Sequence, residues 1–248
     1  MSVTGPDPSR PTKIGPGVGD IVPGMMLAFG ILAAVHHARR TGEGQFLDVS
    51  MIDAVLAVSE RLVWQYSVQG LIPGPEGSHH PFLCPFGMFP AADGFVTLAA
   101  QQQSFFDILC TSIDAPELQP DPRFVTSEKR SANRHALIEA FAGATRRFTK
   151  AELMARLGGR IPFGPVMNIA DIAADPHFAA RQMIVKVEQP GSTPVEIAGV
   201  PIKMTRTPGA VLRRAPLLGE HTRTELEKAG LPASEIEKLI EILPSRSQ

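Results

Sequence analysis

The chain is poor in the residues that mark several protein classes. It holds two cysteines, Cys84 and Cys110, in 248 residues. They form neither a CxxC pair nor a zinc pattern, so both read as reduced thiols of a cytosolic, cytoplasmic protein. One Trp and one Tyr are too few for a surface on which bases stack. Charge of neither sign is in excess: 24 Lys and Arg stand against 25 Asp and Glu, a formal net charge of −1. That leaves no electrostatic footprint for nucleic acid or for an anionic membrane. Met1–Lys13 is polar and proline-rich rather than a signal peptide. No internal repeat or low-complexity tract is visible.

Long hydrophobic runs are scarce too. Ile21–Ala38 approaches the length of a membrane span, but it contains Pro23, Gly24 and Gly30, ends in His36-His37, and stands alone. The reading that follows is a helix of a globular protein, with no membrane as partner. Composition agrees, at 44% hydrophobic and 20% charged residues, enough for one large domain or two small ones.

What the sequence does have is one organising stretch, Gly15-Pro16-Gly17-Val18-Gly19-Asp20-Ile21-Val22-Pro23-Gly24. A glycine-punctuated loop ends in a carboxylate, and an apolar helix begins at once. Ile21–Ala38 is hydrophobic on nearly all sides, which predicts burial. Asp20 is expected at its N-cap, where free N–H groups and the helix dipole favour negative charge. Pro23 would then fall among the first-turn positions whose N–H groups have no intrahelical partner. Two readings of Asp20 compete, a structural cap and a chemical group. A phosphate cradle is excluded, because the glycine spacing is wrong for a dinucleotide loop and a carboxylate at the helix mouth repels phosphate.

Further along, Arg40–Gln45 is a glycine-stopped turn, Phe46–Ser50 alternates like a strand, and Met51–Val68 reads as a second apolar helix capped by Ser50. Gly70–His80 is a linker. Phe86–Pro90, a turn at Ala92-Asp93-Gly94, and Phe95–Ala99 predict a hairpin. Helices are expected near 104–112, 129–147 and 149–157, the last opened by a Thr149/Glu152 capping box. Ile161–Val166 is a stiff connector. Short helices follow near 169–174 and 176–182, strands at 184–188 and 195–197, and helices at 222–229 and 233–243. The pairs His36-His37 and His79-His80 have no Asp, Glu or Cys at ligand spacing, so no metal site is expected. Gln101-Gln102-Gln103 reads as a solvated helix entrance.

Gly19-Asp20, the apolar helix, and Arg40-Thr41-Gly42-Glu43-Gly44-Gln45-Phe46-Leu47-Asp48-Val49-Ser50-Met51 together resemble the signature of class III coenzyme A transferases of the CaiB/BaiF type. This is the group of formyl-CoA transferase, the carnitine CoA-transferase and α-methylacyl-CoA racemase. Further matches run in order through Ala92-Asp93-Gly94, Asp121-Pro122-Arg123-Phe124, Arg130 with Asn133, Ile161-Pro162 with Gly164-Pro165-Val166, Asp175-Pro176, and Ala215–His221.

The resemblance implies an α/β fold, the C-terminal part of a class III CoA-transferase fold: a large-domain segment (1–75), a small α+β domain (76–185), and a return to the large domain (186–248). It implies that Asp20 is the catalytic nucleophile, attacking an acyl-CoA thioester, and that Met51 lies near the coenzyme A. Coenzyme A is then a substrate, with no cofactor or metal, and the partners are an acyl-CoA donor and a carboxylic acid acceptor. A homodimer is expected. The alternatives are an α-methylacyl-CoA racemase, and a fragment or partner subunit separated from its N-terminal half. Against racemisation, Gln102 stands where that branch has a glutamate, and an amide does not exchange protons near neutral pH. Phe82–Met88, in the place of the family's glycine-rich lid, holds one glycine and predicts no flexible lid of that kind.

Overall fold

The chain's longest helix, α1, runs over Val18–Thr41 in the computed structural model, which describes residues 1–242. Gly42 stops it with a left-handed φ of 82°, its N–H reaching the carbonyl of Ala38 at 2.8 Å, a conformation that glycine adopts without a Cβ penalty. The helix starts earlier than the sequence suggested. Gly17, not Asp20, is the N-cap, so Pro23 falls beyond the first turn. Pro23 therefore lacks the N–H that would close on the carbonyl of Gly19.

The expected burial of α1 is not met within this chain. Only Pro23 is buried. A half-buried stripe of Val22, Met26, Gly30, Ala34 and Ala38 recurs at the helical spacing and marks the single face that is covered. Leu47 lies against that face, close enough that a side-chain carbon at Gly30 would stand 3.0 Å from it. Ile21, Met25, Phe29, Ile31, Leu32 and Val35 are exposed. Phe46–Ser50 forms no strand: Phe46 is 93% exposed, and none of the described residues offers it a partner strand. A strand cannot exist without a neighbour to complete its ladder.

The second apolar stretch is two helices, α2 over Met51–Ala57 and α3 over Leu62–Gln69, rather than one. The break comes at Glu60, which has a φ of 57°, a left-handed conformation that no helix interior accepts. Ser50 caps α2 as expected, accepting from the N–H of Asp53 at 3.4 Å.

Strands β1 (Phe86–Ala91) and β2 (Gly94–Ala99) form the expected hairpin, pairing antiparallel with Ala91 opposite Gly94. The supposed connector at 161–166 contributes a third strand, β3 (Phe163–Pro165), which pairs with β2 through Val96, Thr97 and Leu98. Behind this sheet pack α4 (Gln103–Ser112), α5 (Ser127–Ala132), α6 (Arg134–Thr145) and α7 (Lys150–Leu157). The alternation in β1 and β2 turns Phe89, Ala91, Val96 and Leu98 inward. There they meet Phe106, Leu109, Leu137, Phe141, Leu153 and Leu157 in one core. The ring of Phe141 sits edge-on to Phe89 at 6.1 Å and to Phe106 at 5.9 Å, a geometry that the aromatic quadrupole favours. The capping box at α7 forms in full, and the turn residue Asp93 accepts from the N–H of Lys150 at 2.7 Å, fastening the hairpin to that helix.

The chain divides into two compact units, Met1–Val166 and Met167–Gln248. All elements so far lie in the first. The second holds α8 (Ile169–Ala174), α9 (Pro176–Ala180), an antiparallel hairpin of β4 (Ile184–Val187) and β5 (Val195–Ala198), then α10 (Thr222–Lys228) and α11 (Ala233–Ile242). The expected end of that last helix at 243 lies outside the described residues.

Candidate functional site

Asp20 lies in the first turn of α1, three residues past the cap. The loop before it is tightly folded: the N–H of Val18 reaches Pro16 O at 2.9 Å, and the N–H groups of Asp20 and Ile21 both reach Gly17 O at 3.0 and 2.9 Å. Lys13 turns its ammonium onto the carbonyls of Ile14 and Gly15. The side chain of Asp20 folds back over the bare Cα of Gly17, where an added Cβ would stand 2.9 Å from Oδ2.

Among the described residues the carboxylate caps no backbone N–H and has no hydrogen-bond or ion-pair partner. The structural reading of Asp20 as a cap is therefore not what the fold displays. An exposed carboxylate at a helix N-terminus, free of internal partners, is open to an electrophile or a proton donor. The dipole of the first turn stabilises negative charge there.

Met51 opens α2 and is 54% exposed. Its helix packs against α1 with Val55 touching the Gly19 position, one turn along from Met51. The sequence-predicted pair thus lies on one two-helix layer, Asp20 at the end of α1 and Met51 on the neighbouring helix. Beside that layer an apolar groove runs along Ile52, Val55, Leu56, Val63 and Tyr66. A second groove, of about 620 Å³, crosses the sheet over Phe86, Met88, Thr97, Ala99 and Phe163; neither Asp20 nor Met51 lines it.

Among the described residues the most deeply buried charge belongs to Arg130, which enters the sequence reading only through the family match with Asn133. Arg130 is 1% exposed. Its guanidinium donates to Gln101 O at 2.7 Å, Gln103 Oε1 at 2.9 Å and Phe124 O at 3.1 Å, and it sits 4.4 Å from the centre of the Phe106 ring. Burial pushes its pKa down. Among the described residues no carboxylate pairs with it, so carbonyl dipoles and the ring face compensate the charge. Gln103, exposed at the entrance of α4 as expected, is also a partner in this cluster and donates to Asp107 Oδ1 at 2.9 Å.

Cys84 and Cys110 are free and buried, with burial raising their pKa to about 11 and about 12, so neither is a reactive thiolate. Among the described residues no cluster of His, Cys, Asp and Glu could hold a metal ion. The ring nitrogen Nδ1 of His80 is already engaged by the N–H groups of Phe82 and Leu83.

The site is thus an exposed carboxylate at a glycine-led helix start, on an α/β frame. The pattern of CoA-transferase family III matches residues 1–222, and the chain belongs to that family. Succinyl-CoA:mesaconate CoA-transferase of Haloarcula hispanica is 44% identical over 232 residues, covering 93% of this chain and 58% of that protein. Succinyl-CoA--D-citramalate CoA-transferase of Chloroflexus aurantiacus is 32% identical, covering 90% and 56%. The crystal structure of a CAIB/BAIF family protein from Brucella suis superposes with a TM-score of 0.76 at 31% identity, covering 92% of this chain and 59% of that one. The chain thus spans somewhat more than half the length of these relatives.

Proposed function

We propose that this chain carries the nucleophile of a CoA-transferase, Asp20, and serves in moving CoA from an acyl-CoA donor to a carboxylic acid acceptor. The observation that carries the reading is the carboxylate itself, exposed in the first turn of α1 with no capping bond to occupy it. A carboxylate oxygen attacks the thioester carbon, the C–S bond breaks, and CoA thiolate leaves behind a mixed anhydride. The thiolate attacks the Asp20 carbonyl and releases the donor acid, giving an aspartyl-CoA thioester. The acceptor carboxylate attacks that thioester, and the returning thiolate takes the acceptor's acyl group, freeing Asp20. Water has no part in the sequence, so the site must exclude it and fix the reacting atoms. The N–H groups of the first turn are the donors at hand for the developing oxyanions.

The names of several relatives pair succinyl-CoA with mesaconate, D-citramalate or L-malate, one pairs succinate with glutarate, and another acetyl-CoA with oxalate. We propose succinyl-CoA as donor and a short dicarboxylic acid as acceptor. Met51, on the helix beside Asp20, is proposed to line the CoA path. The exposed faces of α1 and α2 are proposed to be covered by further polypeptide of the family fold and by a second subunit, in the cytoplasm. α1 has the length and apolarity of a membrane span, but its proline and glycines and its packing on α2 suit a protein neighbour better.

The test uses this chain, alone and with the remaining segment of a full-length relative supplied in trans. Incubation with succinyl-CoA yields a hydroxylamine-sensitive adduct that mass spectrometry locates at Asp20, and mesaconate discharges it as mesaconyl-CoA. Deuterium wash-in at Cα of a 2-methylacyl-CoA, with no adduct, would replace transfer by racemisation.

A further inference from the structure

The Pro81–Leu83 loop of the first unit is tied by three side chains, and one of them titrates. The imidazole Nδ1 of His80 accepts from the backbone N–H of Phe82 at 3.1 Å and of Leu83 at 3.0 Å. Two donors on one ring nitrogen require that nitrogen to be unprotonated, which puts the proton of the neutral ring on Nε2. The ring is held flat against Phe86, centroids 5.3 Å apart and planes at 17°, and meets the edge of Phe82 at 6.1 Å. From the other side, Arg134 donates to Pro81 O at 2.6 Å and Ser131 Oγ to Phe82 O at 2.6 Å. Helices α5 and α6 thus hold the loop's carbonyls while His80 holds its amides.

We infer that His80 is a pH-operated latch on the Pro81–Leu83 loop, closed by the neutral ring and opened when Nδ1 takes a proton. A proton on Nδ1 turns the acceptor into a donor facing two donors, and both amide bonds are lost together. Of the three side chains that tie the loop, only the imidazole changes state near neutral pH. The charged groups around it act in both directions: Arg61, in the α2–α3 link, and Arg134, on α6, oppose a positive ring, while Glu60 and Glu76 favour it. Both carboxylates are already paired to Arg61, at 2.9 and 2.8 Å, so their pull is weakened. Burial, and then Arg61, set the ring's pKa below its ordinary value. The latch is therefore fully closed above about pH 6.5, the ordinary imidazole value, and is lost as pH falls through the lower folded value.

Opening releases the part of the loop that carries Phe82, 53% exposed, on whose ring the Arg61 guanidinium rests at 5.8 Å. His79 next door is a built-in comparison. It meets Phe89 edge-on, and its Nδ1 is buried without a hydrogen-bond partner, so protonating it breaks no bond to the loop. The inference stands independently of the proposed activity.

Hydrogen–deuterium exchange read by mass spectrometry on Phe82–Cys84, corrected for intrinsic exchange, tests it between pH 8 and pH 5. In the wild type, protection falls by up to about tenfold per pH unit between about pH 6.5 and the lower folded pKa, and levels off below it. In His80→Asn, whose side-chain oxygen still accepts but does not titrate, protection stays level, while His79→Gln keeps the wild-type profile. Flat protection in the wild type, or the same acid loss in His80→Asn, overturns the latch. Should His80→Asn fail to fold, nitrogen-15 NMR of the wild-type ring decides: the Nε2–H tautomer titrating in step with the Phe82 and Leu83 amides supports the latch, and an Nδ1–H tautomer or uncoupled titrations overturn it.

Discussion

Gly17 and Asp20 meet across the first turn of α1, where a side-chain carbon on Gly17 would stand 2.9 Å from Asp20 Oδ2. The φ of Gly17 is −73°, which any residue adopts, so the backbone does not call for glycine here. What does is the room taken by the folded-back carboxylate. Gly17→Ala should therefore cost about 1 kcal/mol in stability, alanine being a much poorer N-cap than glycine. It should still lower the rate of CoA transfer on the order of tenfold to a hundredfold by displacing the reacting oxygen. Parallel thermal melts and transfer assays check this. A full-rate alanine variant would mean that the folded-back position of the carboxylate is not used.

Replacing the carboxylate itself separates chemistry from capping. Asp20→Asn should abolish transfer and the hydroxylamine-sensitive adduct, with stability changed by no more than about 0.5 kcal/mol, because no N–H depends on Asp20. Ser50→Ala gives the contrast, since Ser50 does cap α2 and its loss should cost about 1 kcal/mol. An Asp20→Asn protein as destabilised as Ser50→Ala would restore the capping reading.

How much of this was legible in the sequence follows the range of the forces involved. The Thr149 capping box, the Ser50 cap, the Gly42 stop and the Ala92–Gly94 hairpin turn were all readable, because each is settled within a few residues. Strand β3 was read as a connector, since three residues with a proline at the end become a strand only by pairing with β2, far away in sequence. The break at Glu60 carries no glycine or proline to announce it. Phe46–Ser50 alternates correctly yet forms no strand, because alternation offers a face and cannot supply the neighbour. Asp20 was found through its setting between a glycine loop and an apolar helix, but its position in the turn was misplaced by the earlier start at Val18. Arg130 belongs to the family match, while its burial depends on Gln101, Phe106 and Phe124 arriving from other elements.

Arg130 should be the costliest polar position around the three-stranded sheet. Arg130→Met removes the donors from Gln101 O, Gln103 Oε1 and Phe124 O at once, leaving buried acceptors unpaired, and should destabilise by about 3 kcal/mol. Arg130→Lys should recover little of this, because one ammonium cannot reproduce the planar fork and lie over Phe106. Urea unfolding of both variants checks the ranking, and a lysine variant as stable as wild type would show that the charge alone suffices.

In the second unit, Glu220 accepts from Arg214 Nη1 and Nη2 at 2.8 and 2.6 Å and from the N–H of Leu217 at 2.7 Å. The Arg214 bonds first, then the Leu217 amide, bring its pKa down from 4.5 to about 2. Because the folded value is depressed, the contribution of Glu220 to the turn is fully present above pH 4.5 and disappears as pH falls through about 2. A carboxyl-carbon NMR titration should find Glu220 silent between pH 5 and pH 3. In Arg214→Lys, which keeps the charge and loses the fork, the midpoint should move back toward the ordinary value. A wild-type midpoint near 4.5 would deny the clamp.

The exposed faces of α1 set the last expectation. A 24-residue helix extends about 36 Å, and here it offers Met25, Phe29, Ile31, Leu32 and Val35 to solvent. Ile52, Leu56, Val63 and Tyr66 on α2 and α3 are exposed as well. Apolar surface of that extent does not stay solvated in a protein at ordinary concentrations. The 248-residue chain, expressed alone, should therefore run as aggregates on size exclusion with light scattering, and supplying the remaining segment of a full-length relative should convert it to a defined species. Phe29→Glu with Leu32→Glu separates surface from fold, since both side chains point away from the stripe that faces Leu47. That double variant should become monodisperse with its circular dichroism unchanged, and it should lose the ability to pair with the added segment. A wild-type chain that is monodisperse on its own, with α1 amides exchanging as freely as a solvated helix, would show that this face needs no cover.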